Sequence, residues 1–300
     1  MDLLIKSIKE KNNPTVAGLD PKLDFIPRYI KNKCFGEYGK TLKGAAEAII
    51  EFNKGLIDGF CDIVPAVKPQ SAYYEMYGLE GLRAMDETIK YAKSKGLYVI
   101  LDVKRNDIGT TAQAYSNAYI GETEIEGEKV RAFTPDSVTV NGYLGSDGIK
   151  PFTDNLKDGR SIFVLVKTSN PSSGELQDID TSDGKIYEKM AGLVNKWGAE
   201  HIGTEGYSSV GCVVGATYPR QAEILRQLMP KIFFLVPGYG AQGGGAKDVA
   251  PAFNKDGLGA IVNSSRGIMC AYKKGFDEKD FAEAARRECI RMRDEINTVR

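Results

Sequence analysis

The hydrophobic positions of this chain fall into short runs, and each run ends in polar or turn-forming residues. Eight such runs, rich in valine and isoleucine, cover 16–19, 63–67, 98–101, 137–140, 162–166, 212–214, 232–236 and 260–262. Nearly continuous apolar character over so few residues is typical of parallel strands that are covered on both faces. The pattern therefore predicts eight buried strands.

Segments with helical spacing lie between several of these runs. Apolar residues recur at i, i+3 and i+4 over 42–60, 79–95, 186–197, 219–228 and 279–296. Strands that alternate with helices over about 250 residues are the sequence form of a (β/α)8 barrel, and an open doubly wound sheet is the competing arrangement. We favour closure because two segments of anion-binding character, described below, follow the last two strands.

The chain is predicted to be one TIM-barrel domain of the α/β class over residues 1–300. The amphipathic start of the chain predicts a short N-terminal helix instead of a signal peptide. Two stretches, 22–40 and 121–136, interrupt the alternation and are predicted to be surface insertions.

Composition and charge exclude several classes of partner. Forty basic residues balance forty acidic ones, so neither nucleic acid nor an anionic membrane surface is an expected partner. No apolar run approaches the roughly 20 residues that span a bilayer. Five scattered cysteines without a C-x-x-C motif, and a single histidine, predict reduced thiols in a cytoplasmic protein and speak against a zinc site.

The stretch 99–107 reads V-I-L-D-V-K-R-N-D and carries charge at the end of a buried run. Residues i and i+2 of a strand share a face, so Asp102 and Lys104 are expected to point the same way. Such a pair is costly unless it is paired or used, and alone it favours a structural ion pair. Other predicted strand ends, where barrels keep their chemistry, add Asp20, Lys68, Ser169 and Arg266.

A glycine-rich segment, V-P-G-Y-G-A-Q-G-G-G at 236–245, follows the seventh run. It contains a formal G-x-G-x-x-G dinucleotide fingerprint, which requires an acidic residue about 20 positions later. That place holds Asn263, Ser264 and Ser265, so we interpret the segment as a loop whose backbone N–H groups fold over an anion.

The eighth run ends in N-S-S-R, and phosphate usually sits in the loops after strands seven and eight of such barrels. Arg266 offers a planar fork that suits phosphate oxygens, and Gln242 offers a neutral donor on the preceding loop. The residues alone thus predict a phosphorylated small-molecule substrate that faces an array of lysines and aspartates.

These motifs resemble those of the orotidine 5′-phosphate decarboxylase family, in particular its longer and mainly bacterial subgroup. The resemblance spans essentially the whole chain. It rests on G-L-D-P at 18–21, V-K-P-Q at 67–70, D-x-K-x-x-D at 102–107, T-S-N-P at 168–171, P-G-Y-G-A-Q-G-G at 237–244, and Arg266. The D-x-K-x-x-D motif is shared with sister sugar-phosphate enzymes, and its combination with Lys68 and the glycine-rich loop is the more specific signal.

The resemblance implies a cofactor-independent, metal-free homodimer that decarboxylates orotidine 5′-phosphate to UMP, the last step of de novo pyrimidine nucleotide biosynthesis. It implies a catalytic charge network in which Lys104 protonates the C6 carbanion and Asp107 comes from the neighbouring subunit; the members are Lys68, Asp102, Lys104 and Asp107. It further implies ribose contacts from Asp20 and, across the dimer, Thr111, and a pyrimidine contact from Ser169. The implied remaining substrate-binding residues are Pro237, Gln242 and Arg266, the last two on the phosphate.

Three alternatives stay open at the level of sequence. A metal-dependent sugar-phosphate lyase or synthase of the same barrel superfamily needs an acidic ligand on the second strand, where this chain has Lys68. A Schiff-base aldolase needs only a strand-end lysine as its nucleophile. A catalytically silent barrel that binds a phosphorylated ligand is the third, and the complete charge array argues against it.

Overall fold

The computed structural model describes residues 1–240 and 243–300. Within them, eight parallel strands close into a barrel in the order β1-β8-β7-β6-β5-β4-β3-β2. The strands are β1 Thr15–Leu19, β2 Ala66–Pro69, β3 Tyr98–Arg105, β4 Ser137–Val140, β5 Ser161–Lys167, β6 Val210–Val214, β7 Phe234–Val236 and β8 Ala260–Ser264. Pairing of Thr15 with Val262 closes the ring, which confirms the predicted TIM barrel.

Helices pack around the outside of the barrel. Those of the described chain are α1 Asp2–Lys11, α2 Arg28–Tyr38, α3 Leu42–Phe60, α4 Ala72–Glu75, α5 Gly78–Ser94, α6 Gly109–Tyr119, α7 Ser146–Thr153, α8 Gly174–Gln177, α9 Ile186–Gly198, α10 Pro219–Leu228, α11 Ala246–Val249, α12 Arg266–Met269 and α13 Phe281–Asn297. Where the sequence predicts a helix, the bounds agree within two residues. Seven helices of the described chain have no counterpart in the prediction, namely the longer α2, α6 and α7 and the four-residue α4, α8, α11 and α12.

Helix α3 illustrates how local sequence sets an element. The Thr41 hydroxyl accepts a hydrogen bond from the Gly44 N–H (3.1 Å) and caps its first turn. Its apolar face is buried, and the ring of Phe52 lies 5.2 Å from that of Phe281 on α13. Burial of one aromatic side chain contributes about 2–3 kcal/mol, so such contacts fix the helical layer on the barrel.

Both predicted insertions lie outside the barrel. The first contains α2 and a 3₁₀ turn at Leu23–Phe25. The second forms an exposed antiparallel hairpin of Thr123–Ile125 with Glu128–Val130.

The amino-terminal end of the barrel is closed by α1. Its residues Leu4, Ile5 and Ile8 are buried in a cluster that includes Phe163 and Phe233 from around the barrel. The barrel is therefore filled from this end. Among the described residues, no helix combines the length and the apolar character that crossing a bilayer requires.

Candidate active site

A cavity of about 580 Å³ opens at the carboxyl ends of the barrel strands. Its lining includes most residues singled out in the sequence, which come from six of the strand ends: Asp20, Lys68, Asp102, Lys104, Ser169, Pro237 and Arg266. Parallel strands bring their carboxyl ends to one face, so side chains far apart in sequence meet there.

A buried ion network lies at one end of this cavity. The Lys68 Nζ donates to Asp102 Oδ2 (2.8 Å), and the Lys104 Nζ donates to Asp102 Oδ1 (2.6 Å). Lys68 is 4% and Asp102 is 7% exposed, whereas the Lys104 side chain is 44% exposed. One carboxylate is thus shared by two ammonium groups, and the ammonium of Lys104 has access to the cavity.

Burial and charge oppose each other in the pKa values of this network. Burial by itself would raise the pKa of Asp102, but the positive charges of Lys68 and Lys104 hold it well below its usual range. Burial would likewise lower the pKa of Lys68, but Asp102 and Asp20 raise it above its ordinary value. The pair therefore stays charged at neutral pH.

The backbone at Lys104 departs from a regular strand. Lys104 has a φ of 48°, and the pairing of β3 with β4 shifts between Leu101 and Arg105. The structure does bring Asp102 and Lys104 together as the strand argument predicts. However, the side-chain direction of Lys104 results from this local irregularity, which the alternation rule does not anticipate.

Thr139 on β4 is a member of the network that the sequence argument missed. Its hydroxyl donates to Asp102 Oδ1 (2.7 Å) and accepts from the backbone N–H of Lys104 (2.9 Å). A single threonine inside the apolar run S-V-T-V was the only available signal, and threonine is common in strands without any function.

Asp20, at the end of β1, faces Lys68 across the cavity lining. Its Oδ1 is buried without a hydrogen-bond partner in the described part of the chain. A buried acceptor of this kind is costly unless it is satisfied, so its geometry suits a hydroxyl donor from a ligand.

The rest of the cavity lining combines an apolar floor with polar walls. Leu165, Val213 and Leu235 line the floor, and the segment 168–170 after β5 lines one wall. A flat, partly apolar ring bounded by hydrogen-bonding groups fits such a surface.

Glycine 18 allows the end of β8 to approach β1. A Cβ at Gly18 would lie 1.9 Å from Ser265 Oγ and 2.9 Å from Asn263 Oδ1, so only glycine fits without displacing the chain beside Arg266. Ser265, Asn263 and Arg266 all line the cavity, which places one planar cation and several polar groups at this end. The charge distribution suits an anion.

The glycine-rich loop after β7 borders the same end. Gly238, Gly240 and Gly243 have φ values of 104°, 73° and 96°, a region that side chains rarely adopt. Pro237 and Gly238 line the cavity. Gln242, the predicted phosphate ligand, lies outside the described residues.

Asp107 and Thr111 lie beyond the end of β3, away from the cavity lining of the described chain. Asp107 is half-buried and its Oδ1 accepts from the backbone N–H of Ile108 (2.8 Å), while Thr111 is exposed on α6. Within one chain, the structure therefore brings together three of the four predicted network residues and not the fourth.

Comparison with known proteins gives a consistent result. The sequence model of the orotidine 5′-phosphate decarboxylase / HUMPS family matches residues 45–277. The orotidine 5′-phosphate decarboxylase of Caldicellulosiruptor bescii is 42% identical over 99% of this chain and 98% of its own length. That of Clostridium tetani is 45% identical over 99% of this chain and 97% of its own length.

A solved structure of Leishmania donovani OMP decarboxylase is 30% identical and superposes with a TM-score of 0.76, covering 99% of this chain and 97% of that one. Sequence and fold thus agree over nearly the full length. The chain belongs to the orotidine 5′-phosphate decarboxylase / HUMPS family.

Proposed function

We propose that this chain decarboxylates orotidine 5′-phosphate to UMP and CO2, the last step of de novo pyrimidine nucleotide biosynthesis. The observation that carries the proposal is the buried Asp102 carboxylate between the ammonium groups of Lys68 and Lys104. The near-full-length similarity to named decarboxylases supports the same substrate.

The reaction needs what this network can supply. When the bond from C6 to the carboxylate breaks, the electron pair stays at C6 in the plane of the pyrimidine and cannot enter the ring π system. Without an electron sink, the enzyme has to stabilise the charge with fixed groups of opposite sign. The ammonium of Lys104 faces the cavity and supplies both the positive charge and the proton that C6 takes up. Lys104 then regains a proton from solvent.

The two ends of the cavity suit the two ends of the substrate. Its volume of about 580 Å³ lies within the range of small-molecule sites. Arg266 and the loop at Gly238 would hold the phosphate, Asp20 the ribose, and Ser169 the pyrimidine. Binding of the remote phosphate stabilises the transition state, because it holds the reacting carbon next to the Lys104 ammonium.

We also propose that two copies of the chain share their active sites. Asp107 would complete the network of the neighbouring subunit, and Thr111 would reach its ribose. Exposed apolar side chains follow the carboxyl ends of the adjacent strands β2, β3 and β4, which supports an interface there: Met76, Leu79, Ile108, Tyr143 and Leu144. Apolar groups clustered on one arc of the barrel rim are typical of a docking surface.

The alternatives fit the site less well. Two ammonium groups around one carboxylate repel a divalent cation, which disfavours the metal-dependent lyase. A Schiff-base aldolase needs a neutral lysine. Although burial favours the neutral amine, Asp102 and Asp20 raise the pKa of Lys68 and keep it an ammonium. Borohydride reduction in the presence of substrate would trap a covalent adduct if an aldolase were present.

The activity is tested by following the ultraviolet absorbance of orotidine 5′-phosphate with EDTA present. We expect turnover by the wild type and loss of at least about a thousandfold in Lys104→Ala, because both the charge and the proton donor are removed. The exposed Lys90→Met, which breaks an ion pair with Asp86 on α5, is the control and should match the wild type. An inactive wild type, or undiminished activity in Lys104→Ala, would overturn the assignment.

Shared sites are tested by co-expressing Lys104→Ala with Asp107→Ala. Each homodimer should be inactive, but a mixed dimer has one site with both an intact Lys104 and an intact Asp107. Random pairing therefore restores about a quarter of the wild-type activity. No recovery in a mixture shown to contain mixed dimers would contradict the shared site.

A further inference from the structure

Lys167, the last residue of β5, is a buried lysine that the proposed chemistry does not use. Its side chain is 0% exposed. The Nζ donates to both carboxylate oxygens of Asp178 (2.8 and 2.9 Å) and to Ser173 Oγ (3.2 Å), and it lies 4.4 Å from the centre of the Tyr218 ring. The Nζ also lies 5.9 Å from the centre of the Tyr187 ring on α9, so its partners among the described residues belong to the following loop and to the outer helical layer.

A strand irregularity turns Lys167 away from the cavity. Leu165 pairs with Val213, but the next pair joins Lys167 with Val214, so one residue of β5 is bulged out of the pairing. Leu165 lines the cavity, and regular alternation would point Lys167 the same way. The bulge instead directs the ammonium under the loop, toward the ring of Tyr218.

The chain between Lys167 and Asp178 begins with the cavity wall at 168–170 and continues through α8. Thr168, Ser169 and Asn170 line the cavity. Asp178 follows the last residue of α8 at the far end of the same segment. The backbone N–H of Thr168 donates to Gln177 Oε1 (3.0 Å), and Gln177 Nε2 donates back to the Thr168 hydroxyl (2.8 Å). The ion pair and these hydrogen bonds of the Gln177 side chain therefore connect the first residues of the loop with its last ones.

Contacts with the segment that follows β6 restrain the cavity wall at Ser169 and Asn170. A Cβ at Gly215 would lie 2.8 Å from Ser169 Cα, so the two backbones are in close contact. The Thr217 hydroxyl donates to the Ser169 carbonyl (3.2 Å), and the Tyr218 hydroxyl donates to the Asn170 carbonyl (3.2 Å). The same Tyr218 ring covers Lys167, which connects the buried ammonium to the position of the wall.

The Asp178 side chain is 33% exposed, whereas the Lys167 ammonium is fully buried. Burying an ammonium in an ion pair is a poor way to gain stability, because apolar residues of the same size usually serve as well or better. We propose that Lys167 and Asp178 are positioning residues that hold the 168–178 loop against the base end of the substrate. The inference rests on the proposed function, because it assigns this wall to the pyrimidine. It adds that affinity for the base depends on a pair of charges that never touch the substrate.

The test compares two ligands that share the phosphate and ribose but differ in the base. Binding of UMP and of ribose 5-phosphate is measured by calorimetry for the wild type, Lys167→Met and Asp178→Asn. We expect UMP affinity to fall about tenfold, as for one lost hydrogen bond, with ribose 5-phosphate affinity unchanged within about twofold. In turnover assays, KM should rise more than kcat falls.

An exposed ion pair on the same part of the chain provides the matched control. Lys189 and Asp183 form such a pair beside α9, and Lys189→Met should leave the affinities for both ligands unchanged. If Lys167→Met does not fold, the double variant Lys167→Met with Asp178→Leu replaces the ion pair with an apolar pair, and the ratio of the two affinities is measured on it.

Three outcomes would overturn the positioning role. They are a lower melting temperature with unchanged UMP affinity, an equal loss for both ligands, and a double variant that binds UMP like the wild type. Failure of the proposed function is a separate result. In that case the wild type does not turn over orotidine 5′-phosphate or does not prefer UMP to ribose 5-phosphate.

Discussion

The substitution Thr139→Val tests a member of the ion network that carries no charge and does not protonate the substrate in the proposed mechanism. Thr139 is 1% exposed, so valine fills the same space and removes only the hydroxyl. The substitution deletes the bond to Asp102 Oδ1 (2.7 Å) and leaves the Lys104 N–H without its acceptor (2.9 Å). Both losses act on the groups that face the reacting carbon in the proposed mechanism.

The magnitude follows from the kind of bond that is lost. A hydrogen bond to a charged group contributes about 1.5–3 kcal/mol, and each 1.4 kcal/mol is about tenfold in rate. We therefore expect kcat/KM for orotidine 5′-phosphate to fall between about tenfold and about a hundredfold. The free energy of unfolding should fall by only about 1–2 kcal/mol, because valine is well suited to a buried strand.

The assay is steady-state decarboxylation, with unfolding by urea measured in parallel. Thr15→Val is the matched control, since Thr15 is also a buried strand threonine whose hydroxyl donates to a side-chain oxygen, that of Asn13 (2.7 Å), at the other end of the barrel. Its activity should stay within about twofold of wild type. Thr139→Val activity within about threefold of the wild type, or an equal loss in Thr15→Val, would contradict a role for the Thr139 hydroxyl in the reaction.

Two further predictions concern the same cavity. Because the pKa of Asp102 is lowered on folding, it contributes stability above about pH 4 that is lost as the pH falls further. Asp102→Asn should therefore lower the free energy of unfolding by about 3–5 kcal/mol at pH 7, because it leaves Lys68 buried without its carboxylate. In unfolding experiments the difference from the wild type should shrink below about pH 4. A difference that stays constant with pH would contradict this prediction. Gly18→Ala should weaken phosphate binding through a clash with Ser265, and Ser265→Gly should restore it in the double variant, as measured by calorimetry.

The strands could be predicted because each is marked by its own local pattern, but two of them begin later than the apolar runs suggest. Ile63 and Val64 are buried outside β2, where side chains bind their carbonyl oxygens: Asn13 Nδ2 donates to Ile63 (2.8 Å) and Lys11 Nζ to Val64 (2.7 Å). Partners about fifty positions away thus replace the strand pairing, and no local pattern records them.

The part of the candidate site that lies at the carboxyl ends of the strands could be predicted from the sequence. Parallel topology alone brings Asp20, Lys68 and Asp102 to one mouth, so a correct barrel implies a correct cluster. Thr139 was missed because its function depends on a partner 37 positions earlier. Lys167 was missed because a bulge, which leaves no mark in the hydrophobic pattern, decides which side of the barrel its ammonium reaches.

The helix α1, which closes the amino-terminal end of the barrel, also determines where substrate and products can enter and leave. Leu4, Ile5 and Ile8 pack in one buried cluster with Val213 and Leu235, which line the cavity, so α1 closes the cavity from the amino-terminal end. In the proposed reaction, substrate therefore enters, and CO2 and UMP leave, at the carboxyl ends of the strands. Both products therefore leave past the same side chains that bind the substrate.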